Sequence, residues 1–196
     1  MSSHAEFEEF VKGLKNCRLC KDKFVYEPKP IVRGKKDAKI MQIGQAPSIH
    51  VHNSGKPFDD ASGKRLREWY QINKDIFYDE DIFYFASVGH CFPGKGKSGD
   101  KKPPKICAET WLRKEIGIVD NKMYIIVGSL AAAALFPNIT FEKLVFQNQT
   151  LNGKPAYVIP HPSPLNARWI KLHPDFLENR LPYIRNELHQ YIEDIL

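Results

Sequence analysis

Apolar residues recur along this chain with two different periods. Phe7, Phe10, Val11 and Leu14 fall at helical spacing behind Ser2 and Ser3, residue types that cap helices, and predict a helix over residues 5–15. Leu66, Trp69 and Tyr70 do the same for 62–72, and Trp111 and Leu112 for 103–116, a helix opened by proline. Short, mainly apolar segments mark strands: KIMQI at 39–43, ending at Gly44, then 82–88, MYIIV at 123–127, and 156–159. Gly128 leads into a helix over 129–135, and 174–196 is helical with an interruption near Pro182. Strands alternating with helices predict the α/β class, as a three-layer α/β/α sandwich around a central, mostly parallel four-stranded sheet. In such sheets ligands bind beyond the carboxyl ends of the strands. That directs attention to Gly44 onward, 87–91, Gly128–Ser129 and His161 onward.

The chain has 196 residues, 42% hydrophobic and 27% charged, which suits a single domain over 1–196 with a real core. No apolar run is long enough to span a membrane, and the N-terminus is acidic and polar rather than secretory, so the expected compartment is the cytoplasm. A net charge of +6 favours polyanionic partners. The charge concentrates between Pro93 and Ile106, where Lys95, Lys97, Lys101, Lys102 and Lys105 face only Asp100. Three glycines and two prolines in that stretch predict a flexible loop able to neutralise phosphates.

Four cysteines in a chain of that compartment point to metal binding or catalysis ahead of disulfides. Cys17 and Cys20 form CxxC, and Cys91 and Cys107 are separated by fifteen residues. Four thiolates hold either tetrahedral zinc or an iron–sulfur cluster, and the spacing alone favours neither.

The segments after the strands carry a more specific signal. IGQAPSIHVHNSGKPFDDASGKRL follows the first strand and PHPSPLNARW the last. Together with the cysteines they resemble the uracil-DNA glycosylase superfamily, in its iron–sulfur branches called families 4 and 5, from about Cys17 to Trp169. The resemblance implies a 4Fe-4S cluster on Cys17, Cys20, Cys91 and Cys107, ahead of zinc. It implies a monofunctional glycosylase that hydrolyses the bond to uracil, or another deaminated base, in DNA. A base inside a duplex must be flipped into a pocket before that bond can be cut. Phe58 matches the stacking phenylalanine, and Gly44, Ala46 and Ser87 match positions around the base. His161 matches the histidine that donates to the leaving base. Ser163, Pro164, Leu165 and Arg168 fall in the DNA-facing loop, with Leu165 as the wedge that fills the vacated space; Asn166 and Arg168 are candidate phosphate contacts, with an ordinary surface role as the equal alternative.

This sequence departs from the superfamily pattern where water is activated. The carboxylate of the GQDP motif is replaced by Ala46, and the family 4 glutamate by Gln45. The segment Asp59-Asp60-Ala61-Ser62-Gly63 resembles the family 5 alternative. Asp60 is therefore the expected catalytic carboxylate, with Asp59 in reserve and Gln45 orienting water or base through its amide. The competing role for Asp60 is to cap the helix starting near Ser62. Ser87 stands where an asparagine reads the pyrimidine edge, which leaves hypoxanthine and xanthine open as substrates. His50 and His52 form an exposed HxH, His90 backs the cysteine site, and His173 and His189 carry no assigned role. The expected partner is damaged DNA, with no membrane and a monomeric state. The alternative function is a catalytically weak or inactive protein that binds damaged DNA.

Overall fold

The computed structural model describes residues 3–97 and 99–193; Ser2 and the end of the predicted C-terminal helix lie outside that range. The elements run α1 (His4–Lys15), β1 (Ile40–Gly44), α2 (Ile49–Ser54), α3 (Ala61–Tyr70), α4 (Lys74–Tyr78), β2 (Phe83–Ser87), α5 (Lys105–Cys107), α6 (Arg113–Ile118), β3 (Met123–Val127), α7 (Ser129–Leu135), α8 (Phe141–Phe146), β4 (Gln149–Leu151), β5 (Lys154–Ile159), α9 (Ala167–Leu172) and α10 (Leu181–His189). Ser3 caps α1, its hydroxyl accepting from the Glu6 amide at 3.1 Å.

The sheet has five strands in the order β2-β1-β3-β5-β4, all parallel except the β4–β5 pair. Every residue of β1, β2 and β3 is buried, so helices cover both faces and the chain forms a three-layer α/β/α sandwich. The sequence reading of four strands is corrected by β4. This strand is three residues long and only partly buried, so it lacks the apolar run that marks the others. It joins β5 through Asn152 and Gly153, both at positive φ, the Asn-Gly signature of a tight hairpin. The interruption expected near Pro182 takes the form of a change in helical winding. A π-helical turn over Phe176–Arg180 precedes α10, and Pro182 sits in the first turn of that helix, where a missing N–H costs little.

The connection leaving β1 runs to one side, to β2, and the connection leaving β3 runs to the other, towards β4 and β5, so the direction of winding reverses between β1 and β3. That crevice is where an open α/β sheet offers a binding site. Among the described residues no helix is long and apolar enough to cross a membrane.

Candidate active site and cysteine cavity

A cavity of about 480 Å³ opens at the carboxyl ends of the strands. Gly44, Gln45 and Ala46 line it after β1, Ser87 after β2, Gly128 and Ser129 after β3, and His161, Ser163, Leu165 and Asn166 after β5. Phe58, Asp60 and Ser62 come from the segment entering α3. The aromatic ring, the imidazole and the carboxylate singled out in the sequence therefore face one space.

Phe58 is held in an unusual conformation. Its φ of 52° is left-handed, a region that bulky residues avoid. The Tyr78 hydroxyl secures the strained segment by donating to the carbonyls of Pro57 and Phe58, at 3.0 and 3.1 Å. Burial, with Asp59 nearby, pushes the Tyr78 phenol up to about 12, so it remains a donor at neutral pH. The Phe58 ring leans on Phe85 and meets Phe77 edge-on, with centroids 5.9 and 6.4 Å apart. Gly63 makes room for this turn: a Cβ there would lie 1.8 Å from the Phe58 carbonyl oxygen.

Asp60 is both a cap and a cavity residue. Its Oδ1 accepts from the Gly63 amide at 3.1 Å, capping α3, and its Oδ2 accepts from the Ser48 hydroxyl at 3.1 Å. Ser48 also caps α2, accepting from the Val51 amide at 3.3 Å. Asp59 is exposed and does not line the cavity. Ser48 was not singled out in the sequence, although a serine before a short helix ending at Gly55 is a capping signal.

His161 sits against Gly128, whose φ of 91° and missing side chain allow the approach; a Cβ on Gly128 would lie 3.2 Å from His161 Cβ. The Ser163 amide donates to His161 Nδ1 at 3.2 Å. Nδ1 is thus an acceptor, and in the neutral ring the proton resides on Nε2. Burial lowers the His161 pKa, with Asp60 opposing in part, so the neutral form is favoured. The loop is fastened from behind by Arg65, which donates to the Pro162 carbonyl at 3.1 Å, and by Asn166, which donates to the His161 carbonyl at 2.9 Å. Arg65 carried no sequence signal, because its partner is 97 residues away.

Ser163 accepts from the Leu165 amide at 3.3 Å, which leaves its hydroxyl proton to donate outward. Leu165 projects into solvent, 82% exposed, at the cavity mouth. Pro164 and Arg168 are exposed beside it and do not line the cavity. Ser87 spends its hydroxyl proton on the Gly89 carbonyl at 2.9 Å, so towards the cavity it can only accept. The basic loop is a tight hairpin at the rim: Gly96 N donates to Gly99 O, Lys101 N to Gly94 O, and Lys95 Nζ pairs with Asp100 at 2.7 Å. Lys95 and Asp100 both line the cavity. His50 is exposed, whereas His52 is half-buried against Tyr26 and Phe92.

The four cysteines, none in a disulfide, line a second, smaller cavity with Pro28, Pro30, His90 and Trp111. Trp111 Nε1 donates to Cys17 Sγ at 3.2 Å, and the His90 amide to Cys107 Sγ at 3.3 Å. Burial, then the neighbouring thiols, raises Cys20 and pushes Cys91 up to about 12. Among the described residues no group of three or more His, Cys, Asp or Glu side chains is arranged to hold a metal ion; the thiols form the walls of a space instead. Behind them the ring of His90 reaches the buried carboxylate of Glu115. Burial alone lowers the His90 pKa, but Glu115 and Cys107 outweigh it and raise it to about 10.

Comparison with known proteins bears on both cavities. The profile of the Uracil DNA glycosylase superfamily matches residues 31–185, which begins after Cys17 and Cys20. A curated relative from Pyrobaculum aerophilum, a Type-4 uracil-DNA glycosylase, is 26% identical over 132 residues. That match covers 66% of this chain and 63% of the relative's length.

Proposed function

This chain belongs to the uracil DNA glycosylase superfamily, and from that membership we propose that it is a monofunctional, monomeric repair glycosylase, one domain over 1–196, that hydrolyses the bond between deoxyribose and uracil in DNA. The observation that carries the reading is the gathering of Phe58, Asp60, Gln45 and His161 around one cavity at the strand ends, with Leu165 exposed at its mouth. The flipped base stacks on Phe58. As the glycosidic bond breaks, negative charge grows on the base and positive charge on the sugar. His161 donates from Nε2 to the base oxygen, and because the ring is neutral the proton stays on the histidine. Asp60 faces the sugar, where its charge stabilises the cation and its oxygen orients the attacking water; Gln45 holds that water through its amide. Gly44 and Ala46 border the base without crowding it, and Leu165 enters the space vacated in the duplex. Ser163 and Arg168, with Pro164 shaping the turn, take the DNA backbone. Ser87 offers an acceptor only, which suits a base edge that presents an N–H, as uracil, hypoxanthine and xanthine all do.

Cys17, Cys20, Cys91 and Cys107 suit a 4Fe-4S cluster: four thiols wall one cavity, and two of them receive N–H donors. When bound, the cluster supplies iron–thiolate bonds that fasten the loop after α1 to the end of β2 and to α5. Iron and sulfide analysis of the purified protein tests this; zinc in place of both refutes it.

A second reading has its own support. Both oxygens of Asp60 are already engaged, by Gly63 and Ser48, which fits a protein that flips and binds a damaged base without cutting it. A panel of single- and double-stranded oligonucleotides carrying uracil, hypoxanthine or xanthine, treated with alkali after incubation, separates the two. Strand breaks mark a glycosylase; tight binding without breaks marks the binder.

A further inference from the structure

Four residues beyond the cavity wall at Ser87, the chain reaches the cysteines at Cys91. Behind this segment lies a row of buried polar groups that the glycosylase chemistry does not use. The side chains of His90 and Glu115 are 1% and 0% exposed, and Tyr84 is fully buried. Tyr84 Oη donates to Glu115 Oε1 at 2.8 Å, and His90 Nε2 lies 2.9 Å from Glu115 Oε2. On the other side of the ring, His90 Nδ1 lies 3.6 Å from Cys107 Sγ, and the His90 amide donates to the same sulfur at 3.3 Å. Shutting a carboxylate away from water is costly even when it is partnered, and an apolar set of the same shape often serves stability as well. Packing alone therefore gives no reason for these three residues.

Donor and acceptor roles supply one. A carboxylate only accepts, so His90 Nε2 donates to Glu115. The His90 amide donates to the Cys107 sulfur, and the ring edge lies against the same atom, so backbone and side chain of one residue both bear on it. Partners behind a metal ligand fix its orientation and tune the metal. Hydrogen bonds to the sulfurs are among the factors that set the potential of an iron–sulfur cluster.

We propose that Tyr84, Glu115 and His90 form a positioning chain for Cys107, which aims its sulfur through the His90 amide and the ring edge packed against it. The chain thereby sets how firmly a cluster is held and how readily it is reduced. It also ties that cluster to the strand end whose Ser87 walls the base cavity. This inference rests on the cluster reading above.

The test compares anaerobically purified wild type with His90→Phe, Glu115→Gln and Tyr84→Phe. Iron and acid-labile sulfide are measured first, then the rate of iron release to a ferrous chelator, and the cluster potential by redox titration. In wild type we expect about four irons per chain. His90→Phe should release iron roughly 10- to 100-fold faster and shift the potential to more negative values. Glu115→Gln, which keeps the volume, should speed iron release by less and also lower the potential. If His90→Phe does not fold, Glu115→Gln decides alone by the sign of its potential shift, because mere removal of a buried negative charge raises the potential whereas loosening the His90 contacts to Cys107 lowers it. Unchanged release and potential in the folded variants overturn the proposal. Absence of iron and sulfide from wild type overturns the cluster reading and this inference together, and is seen before any variant is made.

Discussion

Asp60 offers a clean way to separate chemistry from architecture, because the two roles respond differently to asparagine. Asparagine caps a helix about as well as aspartate, so in Asp60→Asn the Gly63 amide keeps its acceptor and stability should change by only a few tenths of a kcal/mol. The Ser48 hydroxyl, which now donates to Oδ2, can rotate to accept from the new amide. Asp60→Ala removes the cap and should cost about 1 kcal/mol, or roughly 2–4 °C in Tm for a chain of this size. If the charge stabilises the sugar cation, either variant should lose about 10²–10³ in single-turnover rate, ~3–4 kcal/mol of transition-state stabilisation. The assay pairs alkali cleavage of a uracil oligonucleotide with a thermal melt. Rate should fall alike in both variants, and Tm only in the alanine. Asp60→Asn working within about threefold of wild type, a difference too small for lost charge stabilisation, would refute the catalytic role and leave Asp60 as a cap.

Three further outcomes are expected. His161→Ala should lower the rate roughly 10²–10³-fold while DNA binding persists, read by parallel cleavage and anisotropy measurements. The wild-type rate should stay flat as pH falls through the ordinary histidine value of 6.5 and decline only below it, because burial lowers the His161 pKa and keeps the ring neutral; the stability tied to this group is likewise whole above 6.5 and lost as pH falls, and a decline centred above 6.5 would contradict the assignment. Leu165→Ala should leave Tm unchanged, since the side chain is 82% exposed, yet slow cleavage in duplex more than in single-stranded substrate; equal slowing in both would remove the wedge role. Gly63→Ala should cost roughly 3 kcal/mol, at the upper end of overpacking, because the new methyl meets a backbone oxygen that cannot move without releasing Phe58; a melt within 1–2 °C of wild type, well below the shift expected for such a loss, would show that the Phe58 turn is not rigid.

Much of the fold is written in local pattern. The strands β1, β2 and β3 are buried on both faces, so they read as mainly apolar runs, broken only by Gln42 in β1 and Ser87 at the end of β2. β4 escaped because an edge strand of three half-exposed residues has no such run, although the Asn152-Gly153 turn beside it was visible. The candidate site was legible to the same degree that its residues cluster in sequence: Gly44 to Gly63 and His161 to Asn166 each lie within one stretch that a parallel sheet must bring to its carboxyl edge.

What sequence alone determined, then, is which segments converge: periodicity sets the strands, and strand direction sets the edge where loops meet. Only the tertiary structure decided what each polar group does there. It gave Asp60 a cap and a cavity at once, fixed the His161 proton on Nε2 through the Ser163 amide, and spent the Ser87 donor on Gly89. It also joined Tyr84, His90 and Glu115 behind Cys107, across 31 positions of chain. The physical reason is that burial of apolar surface is non-directional and leaves its mark on composition and period, whereas a hydrogen bond depends on the distance and angle between atoms that the chain brings together only by folding.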